Sequence, residues 1–415
     1  MNMNRRDVVI VGGGILGLVL AVLLAEQLKR RVTLIVDPGK DNLGADSLRN
    51  QAWLHSMLLY LNGPTVATCR RMYWDGRRML RHFGIPEPVD GGIFAFRDPT
   101  RLQAFVAHAS SLGLGESHGV RLLSHGEAAD ALGELYDSAA TYYRVPDSLF
   151  DEARLMTVAR KDAVSWGAEV VESRVILHRN SSVHNQYFLE TDRGDRITAN
   201  CTVLCAGCGL PELLAQLGLQ HPLGITRSVL LRSYDSLNIK IPLFFDSSSG
   251  LTVGCHGADV RGHRNGCLVF GDWHRRKLNS DEARCRSVSL AEYEALCKRI
   301  PTACLPPSAP RGAIAGHKTE ASDAAGMASV DPWFCSYEAF PGLIAAVPGK
   351  ATLAMYTAEK LLPIVQKYRG MPLRSFASSS SLGPAWTKPI LMHDVDEYRD
   401  LNEVSCLTPA KNRAR

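Results

Sequence analysis

The 415 residues suffice for two or three domain-sized units around a large core. A composition of 46% hydrophobic and 21% charged residues is globular. The net charge of +5, to which Lys411, Arg413 and Arg415 contribute, comes without a basic stripe interleaved with aromatics and so argues against nucleic acid as a partner. The 11 cysteines are irregularly spaced and follow no signal peptide, so they read as reduced, mostly buried thiols of a cytoplasmic protein with no metal site.

The most informative stretch comes first. Val8–Val11 is a short β-rich run that breaks at Gly12-Gly13-Gly14-Ile15-Leu16-Gly17. A Leu- and Ala-rich stretch follows to about Leu28, and a second β-rich run, Val32–Val36, ends in Asp37. Strand, tight turn, helix and strand, with Gly12-x-Gly14-x-x-Gly17 at the first turn and an acid 20 residues after Gly17, is the pattern of a dinucleotide site. Gly12 turns the chain, Gly14 leaves room for a pyrophosphate beside Ile15 and Leu16, and Gly17 lets helix and strand pack closely. The helix N-terminus faces the phosphates and Asp37 accepts from ribose hydroxyls. Val8–Ala25 is 18 residues without a charge, short of the about 20 a membrane span needs and interrupted by three glycines. Arg5-Arg6 imitates the start of a signal peptide, but no small-x-small cleavage site precedes Glu26. The expectation is a dinucleotide fold at the N-terminus with no integral membrane segment.

Residues 38–60 combine loop formers with polar donors, then an aromatic and a histidine. Within them, Asn50-Gln51-Ala52-Trp53-Leu54-His55-Ser56 resembles the Asn-x-Gly-x-(Ile/Leu)-His-(Ala/Ser)-Gly segment of FAD enzymes in the glycine oxidase/D-amino-acid oxidase superfamily. The nearest branch is the one with L-2-hydroxyglutarate and glycerol-3-phosphate dehydrogenases. The resemblance implies that the segment runs beside the isoalloxazine, with Ser47, Arg49, Asn50, Gln51 and Trp53 among the FAD contacts. Ala52 and Met57 stand where that family has glycines, and their side chains are expected to narrow the space at the flavin face.

Residues 61–80 read as a helix whose Arg70-Arg71 and Arg77-Arg78 form a solvated face. Leu102–Leu112 reads as a short amphipathic helix, and Asp151–Trp166 as a helix stopped by Gly167. Two short β-rich runs, Glu169–Val171 and Arg174–Leu177, precede a hairpin of Tyr187–Thr191 and Ile197–Cys205. By resemblance this is the second part of the FAD domain, with Val175 near the adenine and Ala206-Gly207 near the flavin's phosphates. Cys205-Ala206-Gly207-Cys208 also fits CxxC, but no partner set completes a metal site, and buried thiols are expected. Leu223–Arg232 and Ile241–Asp272 read as strands with turns, including Gly262–Gly266, suiting an antiparallel substrate sheet, and Ser280–Ile300 reads as a charged flanking helix. Pro306–Pro310 reads as a boundary after which the chain returns to the first domain. There the strand Gly342–Val347, the turn Pro348-Gly349-Lys350-Ala351-Thr352 and the helix Leu353–Leu362 form an anion site, which the resemblance puts at the flavin pyrimidine ring.

The implied architecture is α/β (α+β overall): a Rossmann-like FAD-binding domain of glutathione-reductase type from 5–80, 150–222 and 310–365, a substrate domain with a mainly antiparallel sheet from 81–149 and 223–309, and an extension at 366–415. The implied activity is an FAD-dependent oxidoreductase that takes a hydride from a C–H beside a hydroxyl or amine of a small polar substrate and passes the electrons to oxygen or another acceptor. An alcohol needs a base, for which His55, His256, His274 and His317 are the candidates, His55 being equally suited to positioning. Lys318 stands where amino-acid-oxidising relatives show the Arg of Gly-x-Arg-Pro, and a point charge clamps a carboxylate less well than a guanidinium fork. The competing functions are oxidation of a 2-hydroxy acid or related alcohol, oxidation of an amine or amino acid, and flavin binding without turnover.

Overall fold

The computed structural model describes residues 4–28, 32–38, 47, 51–61, 66–88, 91–180, 186–233, 239–256, 267–271, 276–278, 282, 287–301, 313–322 and 329–368. Arg49, Asn50, His274, the 262–266 turn, the Pro306–Pro310 boundary and the extension from 369 onward lie outside these residues.

Among the described residues, the first sheet has a parallel core. Its strands are β1 (Asn4–Val11), β2 (Val32–Val36), β8 (Glu169–Glu172), β11 (Arg196–Leu204) and β19 (Leu343–Val347), in the order β19-β11-β1-β2-β8. Strand β18 (Trp333–Ser336) runs antiparallel on the β19 edge, and β9 (Val175–Arg179) with β10 (Tyr187–Thr191) forms a meander leading into β11. A parallel sheet needs cover on both faces. On one face lie α1 (Ile15–Leu28), α5 (Glu152–Ser165) and α8 (Ala354–Lys367), which share a core with alternate residues of β1 and β2 such as Ile10 and Leu34. On the other, Val9, Val11 and Leu204 pack with α6 (Leu210–Gln216) and the meander. The charge-free stretch is therefore the end of β1 and a helix buried on every side: from Ile15 to Ala25 each side chain larger than glycine is at most 6% exposed. Among the described residues no helix is long and apolar enough to cross a membrane.

The second sheet is mainly antiparallel. It contains β4 (Gly92–Phe96), β5 (Arg121–Leu122), β6 (Thr141–Val145), β12 (Leu223–Ser233), β13 (Leu243–Asp246), β14 (Thr252–His256), β15 (Cys267–Gly271), β16 (Arg276–Leu278) and β17 (Ala313–Ala321). Period-two alternation divides β4 between two cores. Ile93 and Ala95 face α4 (His125–Leu132) and α7 (Leu290–Cys297), while Phe94 and Phe96 face α2 (Val66–His82) and α3 (Pro99–Leu112). A two-stranded pair, β3 (Trp53–Leu54) with β7 (Ser148–Leu149), lies at the junction of the two halves.

Two expectations need correction. Ala313–Ala321 does not return to the first sheet: it pairs with Leu223–Ser233 along nine residues, from Leu223↔Ala321 to Leu231↔Ala313, and the return comes at β18. The eleven-residue β12 offers β17 a long edge of hydrogen-bonding groups. Nor do Arg71, Arg77 and Arg78 of α2 stand on a freely solvated face, although Arg70 is exposed. Arg77 donates to Tyr73 O at 3.0 Å and Pro146 O at 2.8 Å, Arg78 forks onto Glu359 at 2.8 and 2.7 Å, and Arg71 lies 4.0 Å above the Tyr356 ring. Helix α8 and the Pro146 turn lie against this part of α2, so these three cations find partners there.

Candidate active site

The carboxyl ends of β1, β2, β11 and β19 all release loops at one edge of the first sheet, the edge at which open α/β sheets bind ligands. Gly12 follows β1 with φ of +118°, and its amide donates to Ile35 O at 2.8 Å. A Cβ there would meet Cys205 O at 2.3 Å, so the loop after β1 and the loop at Ala206-Gly207 are in direct contact. A Cβ on Gly17 would sit 1.9 Å from Gly12 O, whereas one on Gly14 would meet only Ser47 Oγ, at 3.3 Å. Gly12 and Gly17 thus hold turn and helix together, while Gly14 leaves its outer side open. Ser47 Oγ accepts the Ile15 N–H at 3.2 Å at the start of α1, and Leu16 is core. Asp37 is exposed at the end of β2 and pairs with Arg174 at 3.3 Å, next to Val175 at the start of β9. The cradle, the helix start and this acid fit an adenine dinucleotide.

The second part of the site is Gln51–Tyr60. Gln51 reaches across to the second sheet, donating to Thr252 Oγ1 at 2.6 Å and standing 3.4 Å from Val269 O. Trp53 stacks on His55, with ring centroids 4.7 Å apart. The Trp53 indole donates to Asp147 Oδ1 at 2.8 Å, the Ser56 amide donates to the same oxygen at 3.1 Å, and the Ser56 hydroxyl donates to Asp147 Oδ2. Asp147 Oδ1 is also 4.0 Å from His55 Nδ1. Asp147 is fully buried, which pushes its carboxyl upward, while the Ser56 and Trp53 donors and the charge of Arg77 pull it back. Nothing in Val145-Pro146-Asp147-Ser148 marked this residue in the sequence.

Ala52 and Met57, where the resemblance expects glycine, have φ of +48° and +68°. They are the two non-glycine residues with positive φ among those described, so the backbone keeps a glycine geometry that the sequence does not supply. Met57 is fully buried in the core with Cys69, Met72 and Phe94, and Ala52 packs into the core under α1.

The third part lies after β19. Lys350 is buried, its Nζ 3.8 Å from Glu320 Oε1 and 4.9 Å above the Tyr60 ring. Glu320 is also bonded by Lys318, so one buried carboxylate stands between two ammonium groups. Tyr60 in turn meets His55 edge-on at 5.7 Å. Gly349 and Ala351 flank Lys350 in the turn, and Ala351–Leu353 is a single 3-10 turn leading into α8. Thr352 is fully buried and faces inward, where a Cβ on Gly76 would lie 3.1 Å from it, so its side chain does not reach the cleft.

His55, Lys350 and Lys318 are thus linked in a row through Tyr60 and Glu320, and His317 is not part of that row. His317 is on the opposite face of β17 from Lys318, 3.4 Å from Arg227 Nη1, whose guanidinium is held by Glu292 at 2.9 and 3.0 Å; strand alternation turns it away from the cleft. His256 ends β14, four residues or about 13 Å of extended strand from Thr252, the residue Gln51 touches. Cys205 is buried, its thiol pushed up to about 12 by desolvation, so it stays protonated. Cys208 packs against the Ile225–Leu278 cluster.

Comparison with solved structures finds similar folds. Glycine oxidase from Geobacillus kaustophilus superposes with a TM-score of 0.66 at 20% identity, covering 92% of this chain and 100% of the other. L-α-glycerophosphate oxidase from Mycoplasma pneumoniae, solved with FAD bound, gives 0.68 at 15% identity over 92% and 98%. L-amino acid deaminase from Proteus vulgaris gives 0.67 at 16% over 88% and 94%. No curated protein sequence matches the chain. The family model described as FAD dependent oxidoreductase (DAO) matches residues 7–332. The chain belongs to this family of FAD-dependent oxidoreductases, which act on CH–NH and CH–OH donors.

Proposed function

We propose that this enzyme oxidises a small polar alcohol of the 2-hydroxy acid type, with His55 as the base that takes the hydroxyl proton. The observation that carries the reading is the placement of His55. Its side chain is only 12% exposed, it stacks on Trp53, and its Nδ1 stands 4.0 Å from the buried Asp147 carboxyl, within the segment beside the proposed flavin. Bound FAD supplies the hydride acceptor. Gly12, Gly14, Ser47 and the start of α1 would hold its pyrophosphate, with Ala206-Gly207 alongside, and Asp37 its ribose. Lys350 places a cation at the cleft where negative charge gathers on reduction. Lys318 would attract an anionic substrate, although Glu320 offsets part of its charge. We assign the nucleotide half to 5–80, 150–222 and the stretch from β18 through α8, and the substrate half to the second sheet including β17. The free thiols of Cys69, Cys201, Cys205 and Cys335 support a cytoplasmic setting.

The test is an anaerobic visible titration of the purified protein, first with 2-hydroxy acids, then with amines and amino acids. Bleaching by a hydroxy acid supports the proposal. Bleaching by amines alone replaces it with amine oxidation, and bleaching by dithionite alone replaces it with flavin binding without turnover.

A further inference from the structure

Gln51 precedes the left-handed Ala52, and its side chain leaves the segment for the second sheet. The side-chain nitrogen stands 2.6 Å from Thr252 Oγ1 on β14 and 3.4 Å from Val269 O on β15, contacts that span 201 and 218 positions of sequence. A carbonyl can only accept, so the NH2 end of the carboxamide is the end that faces the sheet. Thr252 is buried, so no water replaces this partner if it is lost. The sheet is shaped to receive the side chain. Gly271 lies opposite Thr252 in the β14–β15 register, and a Cβ there would stand 2.8 Å from Gln51 Nε2, 2.7 Å from Leu230 Cδ2 and 3.1 Å from Thr252 Oγ1. Gly271 has no positive φ, so the close approach of Gln51 and Leu230 is what calls for glycine inside this strand. Next to this contact, Trp53 meets two rings of the same sheet, Phe94 at 6.2 Å and Phe245 at 6.4 Å. Apolar contact is non-directional, whereas a short hydrogen bond fixes the register of the segment on the sheet.

We propose that Gln51 is a positioning residue of this enzyme and that Gly271 makes the slot it occupies: the side chain ties the segment beside the proposed flavin face to the sheet of the substrate half, and so sets the spacing between flavin and substrate. Reacting atoms need to come within about 3–3.5 Å, and about 1 Å of misplacement costs on the order of 10²-fold in rate. Gln51 acts through Thr252 on one side and through the backbone leading to Trp53 on the other. The inference rests on the proposed placement of flavin and substrate on either side of this tie, and not on the choice between alcohol and amine.

The experiment compares holoenzyme of the wild type, Gln51→Met, Thr252→Val, Thr252→Ser and the Gln51→Met/Thr252→Val double variant by two readouts. The first is amide hydrogen exchange, followed by mass spectrometry. Gln51→Met and Thr252→Val should each speed exchange across residues 51–58 while leaving that of α1 unchanged, and the double variant should exchange no faster than either single one. Thr252→Ser keeps the acceptor oxygen and should behave as wild type. The second readout is the anaerobic rate of flavin reduction at saturation by whichever donor bleaches the flavin. It should fall by about 10- to 10²-fold in the Met and Val variants, with a smaller change in the half-saturating donor concentration, and Thr252→Ser should restore it. Unchanged exchange, or additive effects in the double variant, would overturn the tie. Faster exchange with an unchanged limiting rate would reduce it to a structural contact and overturn the positioning role, as would a flavin that dithionite alone bleaches. If Thr252→Val does not fold, Gln51→Met set against Thr252→Ser decides by the same two readouts. Bleaching by amines alone would replace the hydroxy acid reading and leave this test as it stands.

Discussion

The Trp53 indole N–H and the Asp147 carboxylate meet at 2.8 Å across 94 positions of sequence, joining the segment beside the proposed flavin face to the turn that opens β7. Replacing Trp53 with Phe keeps most of the ring but removes this donor. A buried acceptor that loses a partner costs about 1–3 kcal/mol. Chemical denaturation should report a stability loss in that range, whereas an unchanged midpoint would show that the carboxylate has no need of the indole.

Ala52→Gly and Met57→Gly should differ in their effect on stability. Both relieve a left-handed backbone that costs about 1–3 kcal/mol, and both loosen the unfolded chain by roughly 0.5–1 kcal/mol. Ala52→Gly gives up one methyl and should come out neutral to slightly stabilising. Met57→Gly empties a fully buried site at a cost of about 2–5 kcal/mol, which outweighs the relief. Thermal melts of the two variants check the order, and equal shifts would contradict it.

The Lys318–Glu320–Lys350 group predicts an asymmetry. Glu320→Gln removes the carboxylate 3.8 Å from buried Lys350, and breaking a buried pair in this way costs about 3–5 kcal/mol. Lys350→Met leaves Glu320 bonded to Lys318 and should cost clearly less. The double variant should be more stable than the sum of the single losses, as a double-mutant cycle would measure.

Away from the site, Ser124 and Glu127 form a capping box at the start of α4, and the hydrogen bonds from Ser124 hold the Glu127 carboxyl at about 2, below its ordinary 4.5. A depressed carboxyl contributes stability that is present above 4.5 and lost as pH falls through 2. The stability difference between wild type and Glu127→Gln should therefore be full at pH 7 and shrink progressively below about 4.5. A difference that grows with acid would contradict the assignment.

What could be read from the sequence divides along the same physical line. The first βαβ unit is legible because glycines, helix and acid are neighbours within the first 37 residues and each has a local reason to be there. Strand and helix identities elsewhere follow from local periodicity, as at Glu152–Ser165 or Tyr187–Thr191. Ala313–Ala321 was misplaced because nothing within it says which edge it joins; its partner is Leu223–Ser233, about ninety residues earlier. Asp147 was missed for the same reason, since its role exists only once Trp53 and Ser56 are folded against it. His317 and Lys318 could not be separated without knowing that β17 faces the cleft with one side and α7 with the other. The departures at Ala52 and Met57 are visible in the sequence, but not that the backbone there keeps a positive φ.

The central claim is that His55 takes a proton from an alcohol. The most direct measurement is the single-turnover rate of flavin reduction by a bleaching 2-hydroxy acid, under anaerobic conditions, in wild type and His55→Gln. Loss of a general base predicts a rate lower by about 10²–10⁴ with flavin content unchanged. A variant that reduces its flavin at the wild-type rate would contradict the account.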